Sequence, residues 1–184
     1  MKTVIGFCGS PRATGNTARL VRAVLAGAES AGAKTRFVQL TRLRLGACTA
    51  CMSCRKQSAC IQEDDMAKVV QDILHADAVV LGSPVYMWQV SGQTKLFMDR
   101  LYPLLNPDFT TRLTRKPKLA LAFTQGHPDG SFFMPYFEQT RKVLALLGFQ
   151  SIEIVSATGT RAPDDIEKQT DVLARAREIG TRLV

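Results

Sequence analysis

The stretch TVIGFCGSPRATGNTARL, Thr3 to Leu20, decides the frame of this chain. Thr3–Cys8 is a short apolar run that breaks on Gly9-Ser10-Pro11, as a buried strand does at its carboxyl end. Beyond the break the chain runs directly into a helical pattern, with Leu20, Val21, Val24, Leu25 and Ala28 stepping by one and three along one face. The same alternation continues outward. Strands are expected at Thr35–Leu40, Ala78–Gly82, Leu119–Thr124 and Ser151–Ser156. Between them lie apolar stripes at Met66, Val69, Val70, Ile73 and Leu74, at Leu96, Phe97, Leu101 and Leu104, and from Phe133 to Leu147. A last helix is expected from near Pro163, with Asp164 and Asp165 placed against its dipole. Five strand–helix units with no repeat and no linker predict an α/β fold: a doubly wound, five-stranded parallel sheet with helices on both faces. Residues 1–184 read as a single domain, with a Cys-rich insertion at 45–62.

Bulk properties exclude several classes. The hydrophobic fraction of 46% and charged fraction of 22% are those of an ordinary globular chain. No apolar run reaches the roughly 18–20 residues of a membrane span. The opening MKTVIGFCGSPR lacks a cleavage site and reads as a strand rather than a leader, so a cytoplasmic location with reduced thiols is expected. The net charge of +8 is scattered apart from Arg112, Arg115, Lys116 and Lys118, and no nucleic-acid motif accompanies it. Such a charge suits a basic face toward anionic cofactors or acidic redox partners. No Ser/His/Asp or paired-carboxylate arrangement supports hydrolysis.

In a doubly wound sheet the chemistry sits on loops at the carboxyl ends of the strands. The first such loop holds Ser10, Arg12, Gly15, Asn16 and Thr17 ahead of a helix N-terminus, a set suited to cradling phosphate, though it is neither a Walker loop nor G-x-G-x-x-G. After the third strand, Pro84 and Tyr86, followed by Met87 and Trp88, offer backbone amides and an apolar wall to a flat heterocycle, although Tyr86, Met87 and Trp88 taken alone are more often core or subunit contact. After the fourth, Thr124, Gln125, Gly126 and His127 edge the same crevice.

Together, GSPRATGNT, GSPVYMWQVSGQTKLFMDR and the strand-ending TQG resemble the flavodoxin-like NADPH-dependent FMN reductase family, over nearly the whole chain. The resemblance implies FMN, with its phosphate at Ser10, Arg12, Asn16 and Thr17 and its ring against Pro84, Val85, Tyr86 and Met87, closed by Thr124, Gln125 and Gly126. It also implies a homodimer or homotetramer. Lys95, Asp99 and Arg100 fall in the helix that the family uses in subunit contacts, which implies a structural role. His127 is a donor able to stabilise negative charge on reduced FMN, or an exposed loop histidine.

Cys48, Cys51, Cys54 and Cys60 form a C-x2-C-x2-C-x5-C pattern in a connection far longer than the usual two to six residues or so, which something must organise. Four thiolates at such spacing suit an iron–sulfur site. The pattern, with the downstream EDDM, is similar to that of the iron–sulfur flavoproteins, which carry a [4Fe–4S] cluster beside FMN. Zinc and unligated thiols stand as alternatives. Cys8 ends a buried strand and takes no chemistry. With a cluster, the expected function is electron transfer between a ferredoxin-like donor, the cluster and FMN. Without one, hydride passes from NAD(P)H to free flavin, a quinone or an azo compound. A non-catalytic electron carrier or redox sensor is the reading of another class.

Overall fold

The computed structural model describes the backbone of residues 1–184 and every side chain except those of Ser151 and Ile152, which open the expected fifth strand and lie outside the described residues. The elements are β1 (Thr3–Cys8), α1 (Asn16–Ser30), β2 (Lys34–Gln39), α2 (Ser53–Gln57), α3 (Met66–His75), β3 (Ala78–Tyr86), β4 (Gln89–Val90), α4 (Gly92–Asp99), β5 (Lys118–Thr124), α5 (Met134–Leu146), β6 (Gln150–Ala157) and α6 (Thr170–Leu183). The main sheet runs β2-β1-β3-β5-β6, all parallel. The chain moves outward from β1 to β2 and then returns past β1 to β3. The strand order therefore reverses between β1 and β3, where their carboxyl ends open a crevice.

Successive strand residues point to opposite faces, and the two cores follow that alternation. Ile5, Phe7, Val79, Leu81, Leu119, Leu121 and Phe123 pack under α3, α4 and α5. Val4, Ala78, Val80, Ala120, Ala122 and Val155 pack under α1 and α6. The central strands β1, β3 and β5 are buried on both faces, which is why they read as near-continuous apolar runs, whereas the edge strand β2 (KTRFVQ) is half-buried.

Three elements depart from expectation. β3 runs on past Gly82 to Tyr86, turns through Met87 and Trp88 and pairs antiparallel with β4, a sixth strand that two residues are too few to announce. Leu101 and Leu104 leave α4 for a 3-10 turn at Tyr102–Leu104, where Pro103 has no N–H to continue the helix. The last helix starts at Thr170 rather than near Pro163. The Asp165 carboxylate accepts from the N–H groups of Arg161 (2.9 Å) and Ala162 (2.6 Å), holding that stretch as a loop before a 3-10 turn at Asp165–Lys168. Among the described residues no helix is long and apolar enough to cross a membrane.

Candidate functional site

The loop between β1 and α1 is held by main-chain bonds. Gly9 N–H donates to Gly82 O (2.8 Å), and Arg12 N–H to the Ser10 hydroxyl (3.1 Å). Gln39 at the end of β2 donates its amide to Ser10 O. Gly15 is the N-cap of α1, and no side chain caps that helix, so the amides of its first turn are left to whatever enters the crevice. Around that end lies a cavity of about 180 Å³, lined by Ser10, Arg12, Asn16, Thr17, Pro84, Val85, Tyr86, Thr124, Gly126, Thr160 and Arg161. It is continuous in its lining with a second cavity of about 340 Å³ bounded by Val85, Met87, Trp88, Gly126, His127, Phe133 and Arg161.

Not every expected residue lines this crevice in the expected way. Asn16 borders the cavity, but its side chain is engaged elsewhere, donating to Ala162 O (2.6 Å) and accepting from Ile166 N–H (3.0 Å). Gln125 is buried, and its amide donates to His127 O (3.1 Å) and Asp129 O (2.7 Å), bracing the loop from behind while its carbonyl oxygen has no partner among the described residues. Gly15 acts through backbone shape alone. Thr17 and Thr124 join the two walls through a 2.7 Å hydroxyl contact. His127 stacks on Phe132 with centroids 4.2 Å apart. Thr160 and Arg161 were missed from sequence, although the rule that pointed to the other loops covers the loop after β6 equally.

A buried knot of hydroxyls fixes the ends of β1 and β3. The Ser91 hydroxyl donates to Gly9 O (2.7 Å), the Thr94 hydroxyl to Ser83 Oγ (3.0 Å), and Ser91 N–H to Ser83 Oγ (3.0 Å). Gly9 has no Cβ because one there would overlap Thr94 Oγ1. Above the knot, Met87 (φ 45°) and Trp88 (φ 66°) form the two-residue turn between β3 and β4, with both centres in the left-handed region that Asn and Gly normally occupy. They are 85% and 64% exposed, so an apolar ridge stands open beside the crevice.

The cysteine loop is built otherwise. Its two ends are tied by side chains: Arg44 N–H donates to Asp65 Oδ2 (2.7 Å), Gly46 N–H to Asp64 Oδ2 (2.9 Å), and Gln62 Nε2 to Ala47 O (3.0 Å). Beneath them lies Arg100, whose side chain is 1% exposed. It pairs with Asp64 through both guanidinium ends (2.7 and 3.0 Å) and also donates to Gly46 O (2.7 Å), Gln62 Oε1 (3.1 Å) and Cys60 Sγ (3.4 Å). Arg100 thus touches both ends of the long connection at once. Burial opposes charge on Asp64, but bonds from Arg100, Gly46 and Met66 outweigh it and hold the carboxyl below the usual range.

Ala50, Met52 and Ser58 all adopt positive φ within this loop. Burial first, and then the fields of Cys60, Cys48 and Cys51, push the Cys54 thiol up, whereas bonds around Ser53 pull the exposed Cys51 thiol down. The donor chemistry suits a thiolate-bound metal. The geometry does not: among the described residues no group of three His, Cys, Asp or Glu side chains lies close enough to hold a metal ion. Cys8 is buried at the end of β1, and that burial raises its thiol.

Comparison with known proteins places this arrangement. The family described as NADPH-dependent FMN reductase matches residues 2–161. An iron–sulfur flavoprotein of Methanocaldococcus jannaschii is 42% identical over 101 residues, 55% of this chain and 52% of the relative. An iron–sulfur flavoprotein of Archaeoglobus fulgidus is 36% identical over 99 residues, 54% of this chain and 45% of the relative. The aligned part thus spans about half the length of these curated relatives. In fold, the chain is similar to an NAD(P)H:quinone oxidoreductase from Methanothermobacter marburgensis (TM-score 0.79, 18% identity, covering 99% of this chain and 96% of that one). It is also similar to an FMN-dependent NADH-azoreductase from Bacillus anthracis solved with FMN (TM-score 0.73, 13% identity, covering 100% and 99%).

Proposed function

The chain belongs to the NADPH-dependent FMN reductase family, and from that premise we propose that it is an oxidoreductase that holds FMN in the crevice outside β1, β3 and β5. One observation carries this reading. An uncapped helix N-terminus, Ser10 and Arg12 converge with Pro84–Tyr86, Thr124 and Gly126 around one cavity at the point where strand order reverses. When bound, FMN supplies hydride acceptance from a nicotinamide donor and delivery to a small-molecule acceptor such as a quinone.

The chain's own residues bind and orient. The first-turn amides of α1, the Ser10 hydroxyl and the Arg12 guanidinium complement a phosphate. Asn16 serves indirectly, by locking the loop after β6 against α1. Thr17 and Thr124 set the separation of the walls. Val85, Met87, Trp88 and Phe133 form the apolar side of the second cavity, a wall suited to a flat ring. His127 and Arg161 add polar groups to that cavity, suited to stabilising negative charge as it develops.

Two finer readings belong to the same proposal. A [4Fe–4S] cluster on Cys48, Cys51, Cys54 and Cys60 is supported by the number of thiols and by the names of the relatives, although the thiols do not converge among the described residues. A second copy of the chain as partner is supported by an exposed apolar groove between α4 and α5, with Met98, Val143 and Leu146 among its walls. The test is purification without oxygen, followed by a visible spectrum, iron and sulfide analysis, and NAD(P)H consumption with FMN and a quinone. Flavin bands with turnover are expected. A protein that neither retains FMN nor consumes NAD(P)H would overturn the reading, and an iron-free but active protein would remove the cluster alone.

A further inference from the structure

We propose that Arg100 is the buried junction that closes the base of the cysteine loop and positions Cys60, so that this base is shaped before and independently of any ligand on the thiols. Arg100 stands at the C-terminus of α4, the end of the helix dipole that favours a cation. From there its guanidinium reaches both ends of the loop at once: Gly46 on the entering strand of chain, and Cys60, Gln62 and Asp64 on the leaving one. A planar fork is required. Nη1 serves Gly46 O, Gln62 Oε1 and Asp64 Oδ2, while Nη2 serves Asp64 Oδ1 and Cys60 Sγ. A lysine ammonium is a single point and cannot span the same acceptors.

The burial is decisive too. A charge this enclosed is tolerated only when paired and fully bonded, so the loop ends must come together to accommodate it. Cys60 is the only loop cysteine whose sulfur Arg100 contacts among the described residues. It is therefore held from below, while Cys48 and Cys51 stand exposed on the outer part of the loop. The inference does not depend on the loop taking iron.

Hydrogen exchange of the full chain, read by mass spectrometry, tests it in four variants. Arg100→Lys is expected to speed exchange across residues 45–65 by about tenfold or more while the sheet keeps its wild-type rates. The quadruple variant C48S/C51S/C54S/C60S is expected to exchange within about twofold of wild type in the same segment. An unchanged loop in Arg100→Lys, or a quadruple variant as loose as Arg100→Lys, overturns the proposal. If Arg100→Lys also loosens the sheet, Gln62→Ala and Gln62→Glu decide together, since both lose the bond to Ala47 O but only Gln62→Ala loses the acceptor for Arg100. A loop-confined acceleration greater in Gln62→Ala than in Gln62→Glu supports the proposal, and equal rates overturn it.

Alkylation mapping of the metal-free protein reads Cys60 directly. In wild type, Cys60 is expected to react more slowly than the exposed Cys48 and Cys51, and in Arg100→Lys to react about tenfold or more faster while Cys48 and Cys51 keep their wild-type rates. An unchanged rate at Cys60 overturns its positioning.

Discussion

The crevice beside β1 and β3 and the cysteine loop lie in one domain but are shaped by opposite means. The crevice is made of strand ends and a helix N-terminus, held by main-chain bonds such as Gly9 N–H to Gly82 O and by a spread of small polar side chains, Ser83, Ser91 and Thr94 among them, so no single contact carries its form. The cysteine loop has one short helix, α2, and is held by side chains, with Arg100 beneath its base, Arg55 reaching out from α2 and Arg112 reaching in from the following chain. A site held by many small contacts loses little with any one of them, whereas a loop whose base rests on a buried ion pair is weakened by loss of either partner.

That contrast can be broken most strongly at Asp64. Asp64→Asn leaves Arg100 buried without its counter-charge and should cost the loop about 3–5 kcal/mol. Proteolytic nicking within residues 45–65 checks this, with the melting of the sheet expected to shift far less. Acid should act the same way. The Asp64 carboxyl is held below its ordinary value in the folded chain. Its contribution is therefore complete above the unfolded value of about 4 and is lost as pH falls through the lower folded one. Loop protection should hold steady at neutral and mildly acidic pH and fall below about pH 4, as exchange or nicking against pH would show.

On the crevice side, Gly9→Ala forces a Cβ into Thr94 and should cost about 1–3 kcal/mol by overpacking, seen as a lowered melting temperature together with weaker FMN retention. Arg12→Ala removes a charge-assisted contact worth about 1.5–3 kcal/mol and should raise the Kd for FMN by about ten- to a hundredfold. Calorimetric titration checks it, with the cysteine loop untouched. The smallest effect is expected at the turn between β3 and β4. Replacing Met87-Trp88 with Asn-Gly relieves two left-handed centres and should raise stability by about 1 kcal/mol while weakening acceptor binding, measured as a higher KM.

Sequence alone determined the five parallel strands, the helices over them and the three loops that face one another. Apolar periodicity and the Gly-Ser-Pro breaks are local, and the handedness of strand–helix–strand connections leaves few ways to assemble them. It also marked the four cysteines. Which polar atoms are free to meet a ligand was left to tertiary structure. Asn16 reads as a phosphate ligand by position but is bonded across to Ala162 and Ile166, at the far end of the chain, partners that no local pattern specifies. Arg100 reads from the resemblance as part of a helix with a structural role, yet the fold turns it inward beneath a loop that lies well before it in the chain. Hydrophobic pattern is set by near neighbours along the chain and survives without context. A buried charge is defined by whatever distant groups surround it, and only the folded chain supplies them.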